Sequence, residues 1–261
     1  MLNTPLWQAV RKAQGKQKHA ALALALFTII LLIGAIVAVV LVSTGKLRPT
    51  PTNQLQSDYL KMQDNESTAV RQAKAAGRNV NTDTAVVHAR AGLTLLEIQA
   101  GDLSSALKLS ARLAKGAPHN AEAQYVYGAA LAASKRTDAS LARFQTALGL
   151  VNDSDTDLQR DILTSYAGAL ITAHKQAEAF TYLKQAAALP PASVDLYVRA
   201  ATLALGLQNY QDAAEMYLMA QSYDPTNATV IAGLRQLQRA RPAEVKAAQQ
   251  TLEQQGQASN E

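Results

Sequence analysis

Two patterns of hydrophobic positions divide the chain. From Ala20 to Val42 runs an uncharged apolar stretch, "AALALALFTIILLIGAIVAVVLV". As an α-helix it would extend roughly 34 Å and cross a hydrocarbon core of ~30 Å. Further along, apolar residues recur three or four positions apart, as Ile231, Leu234 and Leu237 do, which is the spacing of amphipathic helices. The chain is therefore predicted to be all-α, with one N-terminal transmembrane helix at 20–42.

The uncharged run is interpreted as a retained membrane anchor. The hydrophobic region of a cleaved signal peptide has only about 7–15 residues. A buried core helix is the other alternative, but no other segment is apolar enough to surround such a helix. Residues 1–19 carry four Lys/Arg and no acidic residue, which favours a cytoplasmic N-terminus. The expected location is the plasma (inner) membrane, with the large C-terminal part on the extracytoplasmic side.

The segment after the anchor is predicted to be non-helical at first. Pro49 and Pro51 stop a continuing helix, so residues 43–65 are expected to form a stiff polar linker. The sequence "ESTAVRQAKAAGRN" then predicts a helix that ends near Gly77. We interpret residues 66–86 as this N-terminal helix, either a degenerate half-repeat or a cap.

An internal period of roughly 34 residues, a length typical of repeat architectures, organises most of the remaining chain. Pro191 and Pro225 lie one period apart, and so do Ser193 and Asn227. In the unit that begins at Val194, the small, aromatic and proline positions are Ala201, Tyr210, Ala213, Tyr217, Ala220 and Pro225. Small residues allow two antiparallel helices to approach closely, a large residue one turn away fills the space beside them, and proline ends the second helix.

This pattern resembles the tetratricopeptide repeat (TPR) family. The same frame fits upstream, although Ser140 replaces an expected alanine. The predicted units are 87–120, 121–154, 160–193 and 194–227, with 155–159 as a short insertion or a helix extension. The resemblance implies an α-solenoid of about four helix pairs, in which the first helix of each pair lines the concave face. Residues 228–255 are predicted to form capping helices that shield the last unit, and 256–261 a frayed tail.

The resemblance also implies where ligands contact the concave groove, namely at the second, fifth, sixth, ninth, twelfth and thirteenth places of each unit. The candidate partner-binding residues are Leu95, Ile98, Tyr125, Ala129, Thr164, Ile171, Arg199 and Thr202. We expect Tyr125 to be exposed, whereas Leu95, Ile98 and Ile171 are compatible with either the groove or the core. Family members that clamp a peptide carboxylate use Lys, Asn and Arg in the groove. Only Arg199 has a suitable charge here, so that function is not expected.

Composition argues against several classes of function. The absence of cysteine excludes disulfides, thiolate metal sites and a cysteine nucleophile. The four histidines have no histidine or carboxylate partner at the spacing of a metal site; they are His19, His88, His119 and His174. The sequence contains neither a phosphate loop nor a nucleophile elbow. We therefore expect no enzyme activity, no catalytic residue, no cofactor and no metal. The net charge of +5 is dispersed, so no nucleic-acid partner is expected either.

Two binding functions fit these observations. The first is a membrane-anchored interaction scaffold that recruits or assembles protein partners or peptide segments, as an accessory factor in envelope, cytochrome or secretion assembly. The second is a holdase-like chaperone for exported polypeptides. A groove of small and apolar residues suits an amphipathic helix or an extended apolar segment, and the sequence leaves both functions open, as it does the oligomeric state.

Overall fold

The computed structural model describes residues 53–258, and all of the regular structure in this range is helical. The helices in chain order are α1 (Asn53–Ala75), α2 (Thr84–Gln99), α3 (Leu103–Gly116), α4 (Ala121–Ala133), α5 (Thr137–Leu148), α6 (Thr156–Thr172), α7 (Gln176–Ala188), α8 (Val194–Gly206), α9 (Tyr210–Tyr223), α10 (Ala228–Ala240) and α11 (Pro242–Ala258). The predicted basic N-terminus 1–19 and transmembrane helix 20–42 lie outside the described residues. Between 53 and 258 no helix is both long and apolar enough to span a bilayer.

Consecutive helices pair, and the pairs stack along the chain. The four predicted units contain the pairs α2–α3, α4–α5, α6–α7 and α8–α9, although α2 begins at Thr84, ahead of the predicted boundary at 87. Most helices begin at a side chain that accepts a hydrogen bond from a backbone N–H two or three residues on; these N-caps are Asp83, Asp102, Asn120, Asp155, Ser193, Asn209 and Asn227.

The turn inside each pair recurs with the period of the sequence. At the fifteenth place of every unit the backbone is left-handed, with φ between 59° and 78° at Gly101, Lys135, His174 and Gln208. The next residue donates its N–H to a carbonyl five residues back, as Asp102 does to Glu97 over 2.9 Å. This is the hydrogen bond of the Schellman motif, which satisfies a carbonyl at the helix end.

Small residues bring the two helices of each pair together. The twentieth place, near the start of each second helix, is completely buried in all four units, where the residues are Ala106, Ser140, Ala179 and Ala213. Ser140 is tolerated there because its hydroxyl donates to the Thr137 carbonyl over 2.7 Å and so is not left unsatisfied. The main core extends from Phe144 to Ala248.

The predicted linker 43–65 is wrong from residue 53 onward, because α1 already begins at Asn53. Contacts with α2 stabilise this polar helix. The Tyr59 hydroxyl donates to Glu97 Oε1 over 2.7 Å, and Arg90 Nε donates to Glu66 Oε1 over 2.9 Å. The residues that stabilise α1 lie in α2, so the local sequence of α1 does not reveal them.

The segment between the second and third units and the segment after the fourth unit are also helical. Residues 155–159 extend a helix, because α6 begins at Thr156 with Asp155 as its N-cap. At the C-terminal end, α11 packs against α9 and buries Val245 and Ala248. The Arg241 guanidinium lies 4.3 Å from the centroid of the Tyr210 ring, at the junction of α10 and α11.

Candidate functional site

The first helices of the first three units lie side by side and form an inner face. Helix α2 contacts α4, and α4 contacts α6, in addition to the contacts within each pair. His88 on α2 and Glu122 on α4 occupy the same place in successive units, and His88 Nδ1 lies 2.8 Å from Glu122 Oε1. Equivalent places of neighbouring units are therefore adjacent in space, as they are in a regular solenoid.

The predicted groove residues differ in how much surface they offer. Leu95 and Ile171 are 40% and 39% exposed, which puts them among the exposed large hydrophobic side chains of the described residues. Arg199 and Thr202 are also exposed, whereas the remaining four candidates are half-buried, namely Ile98, Tyr125, Ala129 and Thr164. For Leu95 and Ile171, which the sequence assigned equally well to groove or core, the structure shows accessible apolar surface.

Tyr125 was expected to be exposed, and that expectation is wrong. Its ring packs against the two largest parts of the core, with its centroid 6.2 Å from that of Phe144. Burial raises the pKa of Tyr125, a hydrogen bond to Ser165 lowers it, and the charge of Asp161 raises it. Tyr125 therefore packs against α5, and its hydroxyl is hydrogen-bonded to Ser165 of α6.

The polar candidates on α8 differ in their capacity for further hydrogen bonds. Thr202 Oγ1 donates to the Val198 carbonyl over 2.9 Å, so its hydroxyl proton is already used within the helix. Within the described region Arg199 makes no ion pair, and its guanidinium is available to a partner. Of the two, Arg199 has the stronger capacity to bind an additional group.

An acidic group beside these candidates was not selected from the sequence. Asp161 stands at the second place of its unit, and its pKa is raised, first by burial and then by the nearby charge of Asp157, while Arg160 lowers it. Burial and Asp157 thus disfavour its ionised form, and Arg160 offsets part of this effect. The TPR resemblance implies ligand contacts at the second place of each unit, so the repeat frame alone was enough to identify Asp161 as a candidate.

No metal site is found among the described residues. From 53 to 258 no group of three or more His, Asp or Glu side chains is placed to hold a metal ion. The inner face offers apolar side chains such as Leu95 and Ile171 together with exposed polar and charged groups such as Arg199.

Comparison with solved structures identifies the architecture. The structure is similar to YrrB, described as a TPR protein with an unusual peptide-binding site, at 14% identity over 70% of this chain and 88% of YrrB, with a TM-score of 0.50. The repeats have the TPR fold. A second similar structure is BtubC (BKLC) from P. vanneervenii, at 15% identity over 80% of this chain and 93% of BtubC, with a TM-score of 0.55. No protein-family model matches the chain, and no curated protein sequence matches it.

Proposed function

We propose that this chain is a membrane-anchored interaction scaffold whose inner TPR face holds a segment of a protein partner at the extracytoplasmic side of the plasma membrane. The observation that carries the binding role is the exposure of Leu95 and Ile171 on the inner face, where Arg199 and Thr202 are exposed as well. A concave face with accessible apolar side chains suits a helix or an extended segment of a partner. The printed description of YrrB includes a peptide-binding site, which is consistent with this use of the fold.

Membrane attachment is a second part of the proposal. It is supported by the uncharged run 20–42 and by the basic residues that precede it. The full-length chain is expected to stay in the membrane pellet after washing with alkaline carbonate. Full-length protein found wholly in the supernatant would refute the anchor and leave the groove untouched.

A scaffold for an assembly process is favoured over a holdase-like chaperone. The large apolar side chains exposed on the inner face are few and separated, whereas a general chaperone needs a broad apolar surface that tolerates many sequences. The scaffold role therefore predicts a defined partner, such as a component of an envelope, cytochrome or secretion assembly.

Site-specific photo-crosslinking in cells tests the binding role. A photo-reactive amino acid replaces Ile171 on the inner face, and in a matched control it replaces Gln185, an exposed residue of the second helix α7. One abundant adduct from position 171 and none from 185 supports the scaffold. A ladder of many adducts from 171 supports the chaperone, and adducts from 185 alone would show that the partner uses the opposite face.

A further inference from the structure

The inner face has two edges of different chemistry. One edge lies near the N-terminal ends of the first helices, at the second place of each unit, where the residues are His88, Glu122, Asp161 and Asp195. The other lies near their C-terminal ends, at the twelfth place, where the residues are Ile98, Ala132, Ile171 and Leu205. We call them the acidic edge and the apolar edge.

Contacts among the first three units show that equivalent or adjacent places of neighbouring units lie side by side. His88 touches Glu122 across α2 and α4, and Tyr125 on α4 hydrogen-bonds Ser165 on α6. Places ten residues apart in a helix are separated by ~15 Å along its axis, and a helix with its side chains is about 10–12 Å wide. The distance between the two edges thus suits one helix lying across the first helices, with one side on each edge.

Two carboxylates of the acidic edge form no ion pair within the part of the chain that the structure describes. Glu122 lies against His88, but Asp161 and Asp195 are exposed and make no ion pair with any of the residues 53–258. Burial and the neighbouring Asp157 raise the pKa of Asp161, whereas Arg160 lowers it, so an additional cation placed there would further stabilise the ionised carboxylate.

Helix stability alone does not explain this edge. Asp195 lies in the first turn of α8, where a negative charge is favourable next to the helix dipole. Asp161 lies in the second turn of α6, which begins at Thr156. The effect of the dipole falls off within the first turn, and the direction of the pKa shift of Asp161 is opposite to the one that a stabilising dipole would produce.

We infer that the inner face binds a basic amphipathic helix of a protein partner. Its apolar side covers Ile171 and its neighbours on the apolar edge, and its lysine or arginine side faces Asp161 and Asp195. This inference rests on the proposed function and specifies the partner. Both edges change after the fourth unit, where the second and twelfth places of the following helix pair are Thr229 and Arg239.

The test uses two synthetic peptides and the full chain in a non-ionic detergent. One fluorescently labelled peptide forms an amphipathic helix of about five turns with leucines along one side and lysines along the adjacent side; the second has glutamate in place of every lysine. Fluorescence anisotropy at low salt reports binding. The edge variant is Asp161→Asn with Asp195→Asn. Its matched control is Asp138→Asn with Glu253→Gln, which has the same charge change at exposed positions and also removes a first-turn acid, that of α5.

The lysine peptide is expected to bind the wild type more tightly than the glutamate peptide, and the edge variant is expected to bind it about tenfold more weakly. The control variant should bind as the wild type does. Equal binding of both peptides, an unchanged affinity in the edge variant, or no binding of either peptide would overturn the inference. The proposed function is tested separately by photo-crosslinking, and the absence of an adduct from position 171 would contradict it.

Discussion

Gly128 offers a sharp test of how tightly the second unit is packed. A Cβ atom on Gly128 would lie 2.8 Å from both Cδ1 and Cε1 of Phe144, and 3.3 Å from Cβ of Arg143. Phe144 is completely buried, with ring centroids of Tyr125 and Tyr166 at 6.2 and 6.3 Å. The ring therefore has no free space to move into, and Gly128→Ala is expected to overpack this contact.

The magnitude follows from two opposing effects. Overpacking a core typically costs ~1–3 kcal/mol, whereas alanine is more favourable than glycine within a helix by about 1 kcal/mol. Gly128→Ala should therefore lower the free energy of unfolding by about 1 kcal/mol. A Cβ atom added to Gly168, inside α6, would meet no neighbouring atom within 4 Å, so Gly168→Ala should raise it by up to about 1 kcal/mol. The difference between the two variants isolates the steric contribution.

The measurement is urea unfolding of the fragment 52–261, the compact unit that contains all described helices, followed by circular dichroism. Repeat arrays can unfold in parts. Tyrosine fluorescence is therefore used as a second probe, and it should give the same midpoint if the fragment unfolds in one step. In a double-mutant cycle, Phe144→Leu should remove most of the penalty of Gly128→Ala. The reasoning would be refuted if Gly128→Ala stabilised the fragment as much as Gly168→Ala does.

Three other substitutions test packing, charge pairing and pH dependence. Ala213→Leu should cost ~1–3 kcal/mol in denaturant unfolding because Ala213 is completely buried, whereas Gln211→Leu at an exposed site should be nearly silent. Lys184→Met should destabilise by ~1–2 kcal/mol, because it removes the ion pair at 3.5 Å from the buried Glu215; adding Glu215→Gln should restore most of the loss, and no recovery would exclude the pair as the cause. The pKa of Asp161 is raised above 3.8, so the folded state binds more protons and stability falls as the pH rises from that value through the folded-state pKa. Asp161→Asn should therefore raise the melting temperature at neutral pH and have no effect below both pKa values; a lower melting temperature at neutral pH would contradict the assigned sign.

The repeat architecture was readable in the sequence because it depends on side-chain volume at fixed intervals. Ala106, Ala179 and Ala213 are buried in the structure, and their small size is visible in the sequence without any knowledge of their neighbours. Ser140 fits the same place once its hydroxyl finds a carbonyl within its own helix. Such local rules are shared by every unit, so agreement among several units compensates for the weakness of each match.

The site was less readable because exposure depends on residues distant in sequence. Tyr125 is half-buried because Phe144 and Ser165 of two later helices lie against it. The raised pKa of Asp161 depends in part on Asp157, one turn before it, and in part on partial burial, which the sequence does not show. A repeat frame assigns a residue to the inner face, but only the packed structure determines which of its atoms a partner can reach.

The turns inside the units show whether local backbone preference or helix packing determines the geometry. A left-handed residue is inexpensive only when it is glycine, and for other L-residues this conformation costs roughly 1–2 kcal/mol. Only the first unit uses glycine, at Gly101, while Lys135, His174 and Gln208 adopt φ of 59–60° at the same place. Local preference therefore opposes the turn in three of the four units, and the turn forms nevertheless. The burial of the small residues that follow it, together with the hydrogen bond that closes each helix end, must exceed that cost. The geometry of the inner face is consequently set by helix packing, which leaves its exposed side chains free to differ from unit to unit and to determine the partner.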